Sequence, residues 1–178
     1  MRAPPRPAPP VSAAAPRPAT VGRDRREGER LIAYWDGKLQ EFGDGITIAS
    51  LDITAIGSSR DWSNRFLISV DPVIERSALI MYGVKFAGLL GLPEQPRTDQ
   101  PLLRQLPRRY GEVFLRGCEQ AQKEWAPVRL EGEVARDNGQ IEQYRVVFIP
   151  VGVRPNALTC FAFGAFSRRL IDQSATEG

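Results

Sequence analysis

No histidine occurs anywhere in the 178 residues. Its absence removes imidazole general acid–base catalysis, Ser-His and Cys-His triads, and histidine-ligated zinc or haem. Cysteine is scarce: Cys118 and Cys160 stand alone, with no CxxC spacing. Two such thiols suit a reducing compartment better than a disulfide framework, and the expected location is cytoplasmic. Uninterrupted apolar runs of about 18 residues are missing too, so no membrane-spanning helix is expected. A secretory leader is not expected either, because prolines interrupt any apolar stretch near the start.

Excess charge is nearly absent once the first 22 residues are set aside. That segment holds seven prolines, six alanines and three arginines (Arg2, Arg6, Arg17), and no acidic residue. Without those arginines, 21 Lys+Arg face 21 Asp+Glu over residues 23–178. A neutral body is poor ground for a nucleic-acid surface, and no nucleic-acid partner is expected. Residues 1–22 are expected to form a disordered tail, an over-extended start or a proline-rich docking segment. Residues 171–178 are expected to be a second tail.

The strongest positive pattern lies near the C-terminus. Val128, Leu130 and Val134 alternate with Arg129, Glu131 and Glu133, the period of a strand with one wet face. Asn138-Gly139 then offers the positive φ values of a tight hairpin before Ile141–Pro150. A third run covers Leu158–Phe166, giving three successive antiparallel strands. Phe161 and Phe163 project to one side of it, while Cys160, Ala162, Gly164 and Phe166 project to the other. A strand apolar on both sides implies that a second layer covers the outer face.

Leu31, Trp35, Leu39 and Phe42 fall at helical spacing and predict an amphipathic helix within residues 23–45, with Asp24 as N-cap and Gly43 as stop. This helix packs either on its own domain or across a dimer interface. Phe66, Ile68 and Val70 mark a strand ending at Asp71-Pro72, and Ser77–Tyr82 marks an antiparallel neighbour. Val84–Gly91 reads as a short helix, Pro101–Leu106 as another short element, and Pro107 to about Trp125 as a longer helix ended by Pro127. The order implies an α+β fold: a five-stranded antiparallel sheet with helices on one face over residues 46–170.

With Leu31-Ile32-Ala33-Tyr34-Trp35, Arg65-Phe66-Leu67-Ile68, Ile80-Met81-Tyr82-Gly83, Phe86–Gly91, Leu106–Tyr110 and Val146–Pro150 in this order, the chain resembles PAS domains. More narrowly, it resembles the small single-domain PAS-fold proteins of alphaproteobacteria that carry an N-terminal Tyr-Trp helix. The resemblance covers roughly residues 30–168. It implies a non-enzymatic bacterial signalling module that contacts a partner protein, commonly as a homodimer, or alternatively a sensor of a small apolar ligand. No catalytic residues, metal or cofactor carry over. Flavin-binding light sensors place a reactive cysteine in an Asn-Cys-Arg-Phe motif, whereas this chain reads Tyr82-Gly83-Val84-Lys85-Phe86. Haem-binding PAS domains use histidine, which is missing.

The candidate cavity between sheet and helices is Phe66, Ile68, Ile80, Tyr82, Phe86, Leu90, Tyr110, Phe114, Tyr144 and Phe148. The same residues also fit a filled core; the tyrosines would be the polar handles of a ligand site. The candidate partner or dimer surface is Leu31, Trp35, Leu39, Phe42, Phe161 and Phe163. Arg60-Asp61-Trp62 fits either a salt bridge beside an anchoring aromatic or, through Trp62 and Arg65, a pocket mouth or a partner site. Arg116 could lower the pKa of Cys118, though a buried helix cysteine is the plainer account. Ser58-Ser59 lacks a histidine to activate it.

Overall fold

The computed structural model describes residues 20–51, 62–152 and 160–171, without the side chains of residues 20–25 and 44. Expectations for residues 1–19, Ser58-Ser59, Arg60-Asp61, Leu158-Thr159 and 172–178 lie outside the described residues.

Alternating and helical periodicities become nine principal elements: α1 (Thr20–Phe42), β1 (Arg65–Val70), β2 (Ala78–Tyr82), α2 (Val84–Leu90), α3 (Leu102–Gln105), α4 (Arg108–Glu124), β3 (Val128–Ala135), β4 (Ile141–Gly152) and β5 (Cys160–Ile171). All pairings between these strands are antiparallel, and the sheet order is β2-β1-β5-β4-β3. This is an α+β, PAS-like sheet, with α2, α3 and α4 against one face and α1 against the other. No helix among the described residues is long and apolar enough to cross a membrane.

Three boundaries differ from expectation. Helix α1 begins at Thr20, so Asp24 lies inside it rather than at its cap, and residues 20–22 belong to a helix rather than a tail. The third terminal strand runs on to Ile171. In the β3–β4 turn only Gly139 has positive φ, at 81°. The Gly139 N–H donates to Arg136 O at 2.9 Å, and the Arg136 N–H to Gln140 O at 2.8 Å. That is a type I turn closed by a left-handed glycine, which needs positive φ at one residue instead of two.

Interior glycine ordinarily weakens a helix by about 1 kcal/mol, and Gly28 shows why one is kept. A Cβ there would lie 3.1 Å from Val147 Cγ2, so its absence lets α1 sit directly on β4. Leu31, Trp35, Ile46 and Leu51 are buried on this outer face with Leu67, Val147, Ile149, Val151, Phe163 and Ala165. The Trp35 Nε1–H donates to Pro150 O at 3.1 Å. On the inner face a larger cluster gathers Phe66, Phe86, Tyr110, Phe114, Phe148 and Phe166. Strand β5 sits in the middle of the sheet and is apolar on both sides, as its sequence requires.

Candidate functional site

The inner face is packed with rings. Phe66 lies 5.1 Å from Phe86, 5.2 Å from Phe114 and 5.5 Å from Phe148, centroid to centroid. Tyr110 stands edge-on to Phe166 at 5.1 Å and to Tyr144 at 5.8 Å. These tilted and T-shaped contacts are the favourable arrangements for aromatic quadrupoles. A Cβ on Gly117 would run into the Phe148 ring, and one on Gly164 into the Phe66 ring. Of the candidate cavity residues, Phe66, Ile68, Tyr82, Phe86, Leu90, Tyr110, Phe114, Tyr144 and Phe148 meet in this inner cluster.

Ile80 does not join them; it packs on the outer cluster with Met81. The cause is a bulge. Leu67 pairs with Met81 and Ile68 with Leu79, which leaves Ile80 as the extra residue of β2. A bulge breaks the two-residue period, so alternation counted back from Tyr82 assigns Ile80 to the wrong face.

The expected polar handles are partly engaged. Tyr82 Oη donates to Pro93 O at 2.8 Å, and burial raises its pKa against the lowering charge of Arg97. A cleft of about 130 Å³ opens beside it, bordered by Leu92, Arg97 and Arg104. Tyr110 Oη donates to Glu142 Oε2 at 2.7 Å. Its pKa moves far up, first through burial and then through the Glu142 carboxylate.

Glu142, which was not among the sequence candidates, is the most unusual charged residue of the inner face. Its side chain has no exposure. Arg109 Nε donates to Oε2 at 3.1 Å. Arg168 Nη1 lies 2.7 Å and Arg136 Nε 3.4 Å from Oε1, as charge contacts without hydrogen-bond alignment. Burial pushes the carboxyl pKa up, but the Tyr110 and Arg109 hydrogen bonds and the Arg168 and Arg109 charges outweigh it. The net result is a pKa below the ordinary value. The signal was present in the sequence: Glu142 shares the parity of Tyr144, Val146 and Phe148, so the alternation that placed the tyrosine inside places the glutamate there too.

The outer face corrects the interface expectation. Leu31, Trp35 and Phe163 are buried by their own chain, at 2%, 5% and 0% exposure. The surface they were expected to offer a partner is covered by α1 on its own sheet, the intrachain packing that was one of the helix's two alternatives. Leu39 and Phe161 are half-buried at its margin. Phe42 is exposed, with Lys38 Nζ 5.4 Å from its ring centroid. Besides Phe42, the outward positions of α1 from residue 26 on are Arg26, Glu29, Arg30, Ala33, Asp36, Gly37, Gln40 and Glu41, a largely polar surface.

Trp62 anchors this layer, 5.2 Å from Phe163 and 5.9 Å from Tyr34. With Arg30, Leu31, Tyr34 and Arg65 it also borders a cleft of about 230 Å³, so the anchoring and pocket-mouth readings meet there.

Both cysteines are buried. Burial raises the Cys118 thiol pKa strongly, the neighbouring Cys160 adding to it, and Arg116 contributes no lowering. Burial holds Cys160 up at about 11, against a lowering hydrogen bond from Gln122. Neither is a thiolate at neutral pH.

No family model matches the chain, and no curated protein does. Among solved structures it is similar to the Rhodobacter sphaeroides LOV protein, at 15% identity over 68% of this chain and a TM-score of 0.43. The chain spans 65% of that protein's length. It is also similar to the PAS domain of a Colwellia psychrerythraea protein, at 13% identity over 66% of this chain and 92% of that one, TM-score 0.41. A domain of an HTR-like protein from Haloarcula marismortui matches at 19% identity over 62% of this chain and all of that one, TM-score 0.40. What makes the present fold PAS-like is its own sheet order and helical layer; likenesses of this depth say nothing of ligand or partner.

Proposed function

We propose that the chain is a non-enzymatic regulatory PAS-like module that signals by contact with a partner protein, and that α1 is the element that moves. One observation carries this reading: the outer sheet face is apolar from Leu67 to Phe163, and among the described residues its main cover is α1, a helix with a polar exterior, joined by Ile46, Leu51 and Trp62. A surface of that kind is a partner site whenever its cover is displaced. Self-association through the same face requires two copies to exchange or release α1, because the exterior of α1 offers little apolar surface. The ring packing of the inner face supports contact signalling over the sensing of an apolar ligand, since such a ligand would have to displace aromatic side chains already in contact.

The test is to tie the helix down. A Cβ at Gly28 comes close enough to Val147 for a Gly28→Cys, Val147→Cys pair to approach disulfide geometry, which needs Cβ atoms about 3.8 Å apart. Oxidised protein should capture markedly less partner from lysate than the same protein after reduction. Equal capture by both forms contradicts the proposal.

A further inference from the structure

Three guanidinium groups converge where the first turn of α4, the β3–β4 turn and β5 meet. Arg109, Arg136 and Arg168 all point at Glu142, with N–O separations of 3.1, 3.4 and 2.7 Å. One carboxylate offsets one of the three charges. Among the described residues no other carboxylate lies within 4.0 Å of any of them.

Their remaining bonds are few. Arg168 Nε donates to Leu89 O at 2.8 Å, and Arg136 Nη1 to Gln140 Oε1 at 3.3 Å. The Arg109 guanidinium carbon lies 5.1 Å from the Tyr110 ring centroid. Among the described residues, Nη1 and Nη2 of Arg109, Nη2 of Arg136 and Nη2 of Arg168 have no hydrogen-bond partner. The three side chains are 23%, 32% and 19% exposed, so a solute can reach them.

Packing three like charges around one buried carboxylate leaves two of them unneutralised, and planar N–H forks suit oxyanions. The buried glutamate keeps the forks in place without facing solvent itself. We propose that Arg109, Arg136 and Arg168 form a binding site for a phosphate dianion, free or as a phosphomonoester, with Glu142 as positioning residue. A double negative charge matches the excess, and tetrahedral oxygens can accept from more than one guanidinium. The balanced charge of residues 23–178 speaks against an extended polyanion as the occupant. This site is independent of the α1 cover and stands or falls separately.

The experiment is a titration of the full chain at neutral pH with sodium phosphate, against sodium chloride at matched ionic strength, followed by thermal unfolding and by phosphorus-31 line width. Phosphate should raise the midpoint saturably, and chloride should not. R136Q should weaken phosphate binding by about tenfold or more, the worth of one charge-assisted bond. R129Q removes the same charge from an exposed β3 position and should leave the phosphate response intact. If R136Q folds poorly, R136K retains the charge, loses the fork and should still bind more weakly. Identical midpoints in phosphate and chloride overturn the site; so does an equal loss of response in R136Q and R129Q, which means bulk screening. Repeating the titration with O-phosphoserine distinguishes the sources: tighter binding than inorganic phosphate identifies a phosphomonoester, and equal or weaker binding identifies the free ion.

Discussion

The two faces of this sheet are both apolar, yet they are closed by different means. The inner face is shared by three helices, interlocked rings and the Glu142 cluster, which joins α4 to the strands and, through Arg168, to Leu89 at the end of α2. The outer face is closed mainly by α1, set on Val147 through Gly28 and held by the Trp35 indole bond to Pro150 O and by the Asn64 amide, which donates to Glu27 Oε2. Opening the inner face breaks a polar network and an aromatic core together. Opening the outer face uncovers the smaller cluster, ten buried residues against twenty-three among the described residues, at about 1.5–3 kcal/mol for each large side chain exposed. The cheaper motion is the one that exposes a flat apolar surface, which is why the proposed signalling role belongs to α1.

The largest effect expected from breaking this contrast is in the ring cluster. Phe114→Ala should cost about 3–5 kcal/mol in denaturant unfolding, because a fully buried ring leaves a cavity among its neighbours. Glu142→Gln should cost roughly 3 kcal/mol, since three arginines lose their shared anion. It should also change the acid limb. A carboxyl pKa lowered on folding stabilises the native state above its unfolded value and loses that contribution as pH falls through the folded value, below 4.5. Wild type should therefore lose its advantage over the variant on acidification, read as converging unfolding midpoints.

Next comes the bulge. Leu79→Ala should cost about 2–5 kcal/mol and Ile80→Ala clearly less, since only Leu79 is fully enclosed. The reverse order would restore an unbroken alternation in β2. Smallest is Trp35→Phe, which keeps most of the buried area but loses the bond to Pro150 O, for about 1 kcal/mol by thermal unfolding.

Much of the fold was legible because the dominant signals were local. Val128 to Val134 and Phe161 to Phe166 alternate cleanly, and Gly43, Gly91 and Pro127 punctuate the helices where the chain in fact turns. The two-sided burial of β5 even announced a second layer. What stayed hidden depended on pairing across the sheet. The displaced register opposite Leu67 and Ile68 gives Ile80 its outward position, and nothing within β2 marks it. That α1 covers its own sheet rests on the fit of Gly28 against Val147, between residues more than a hundred positions apart. The ion cluster draws on the α4 start, the β3–β4 turn, β4 and β5, and only the parity of Glu142 hinted at it.

Hydrogen–deuterium exchange on the intact chain tests the movable-cover account most directly. Amides of α1 between residues 31 and 41 should exchange through a smaller opening free energy than those of α4 between residues 112 and 122. Trp35→Ala should speed exchange in α1 while leaving α4 close to wild type. If both helices share one opening free energy and respond equally to that substitution, the two faces open as one unit and α1 is not a separate moving element.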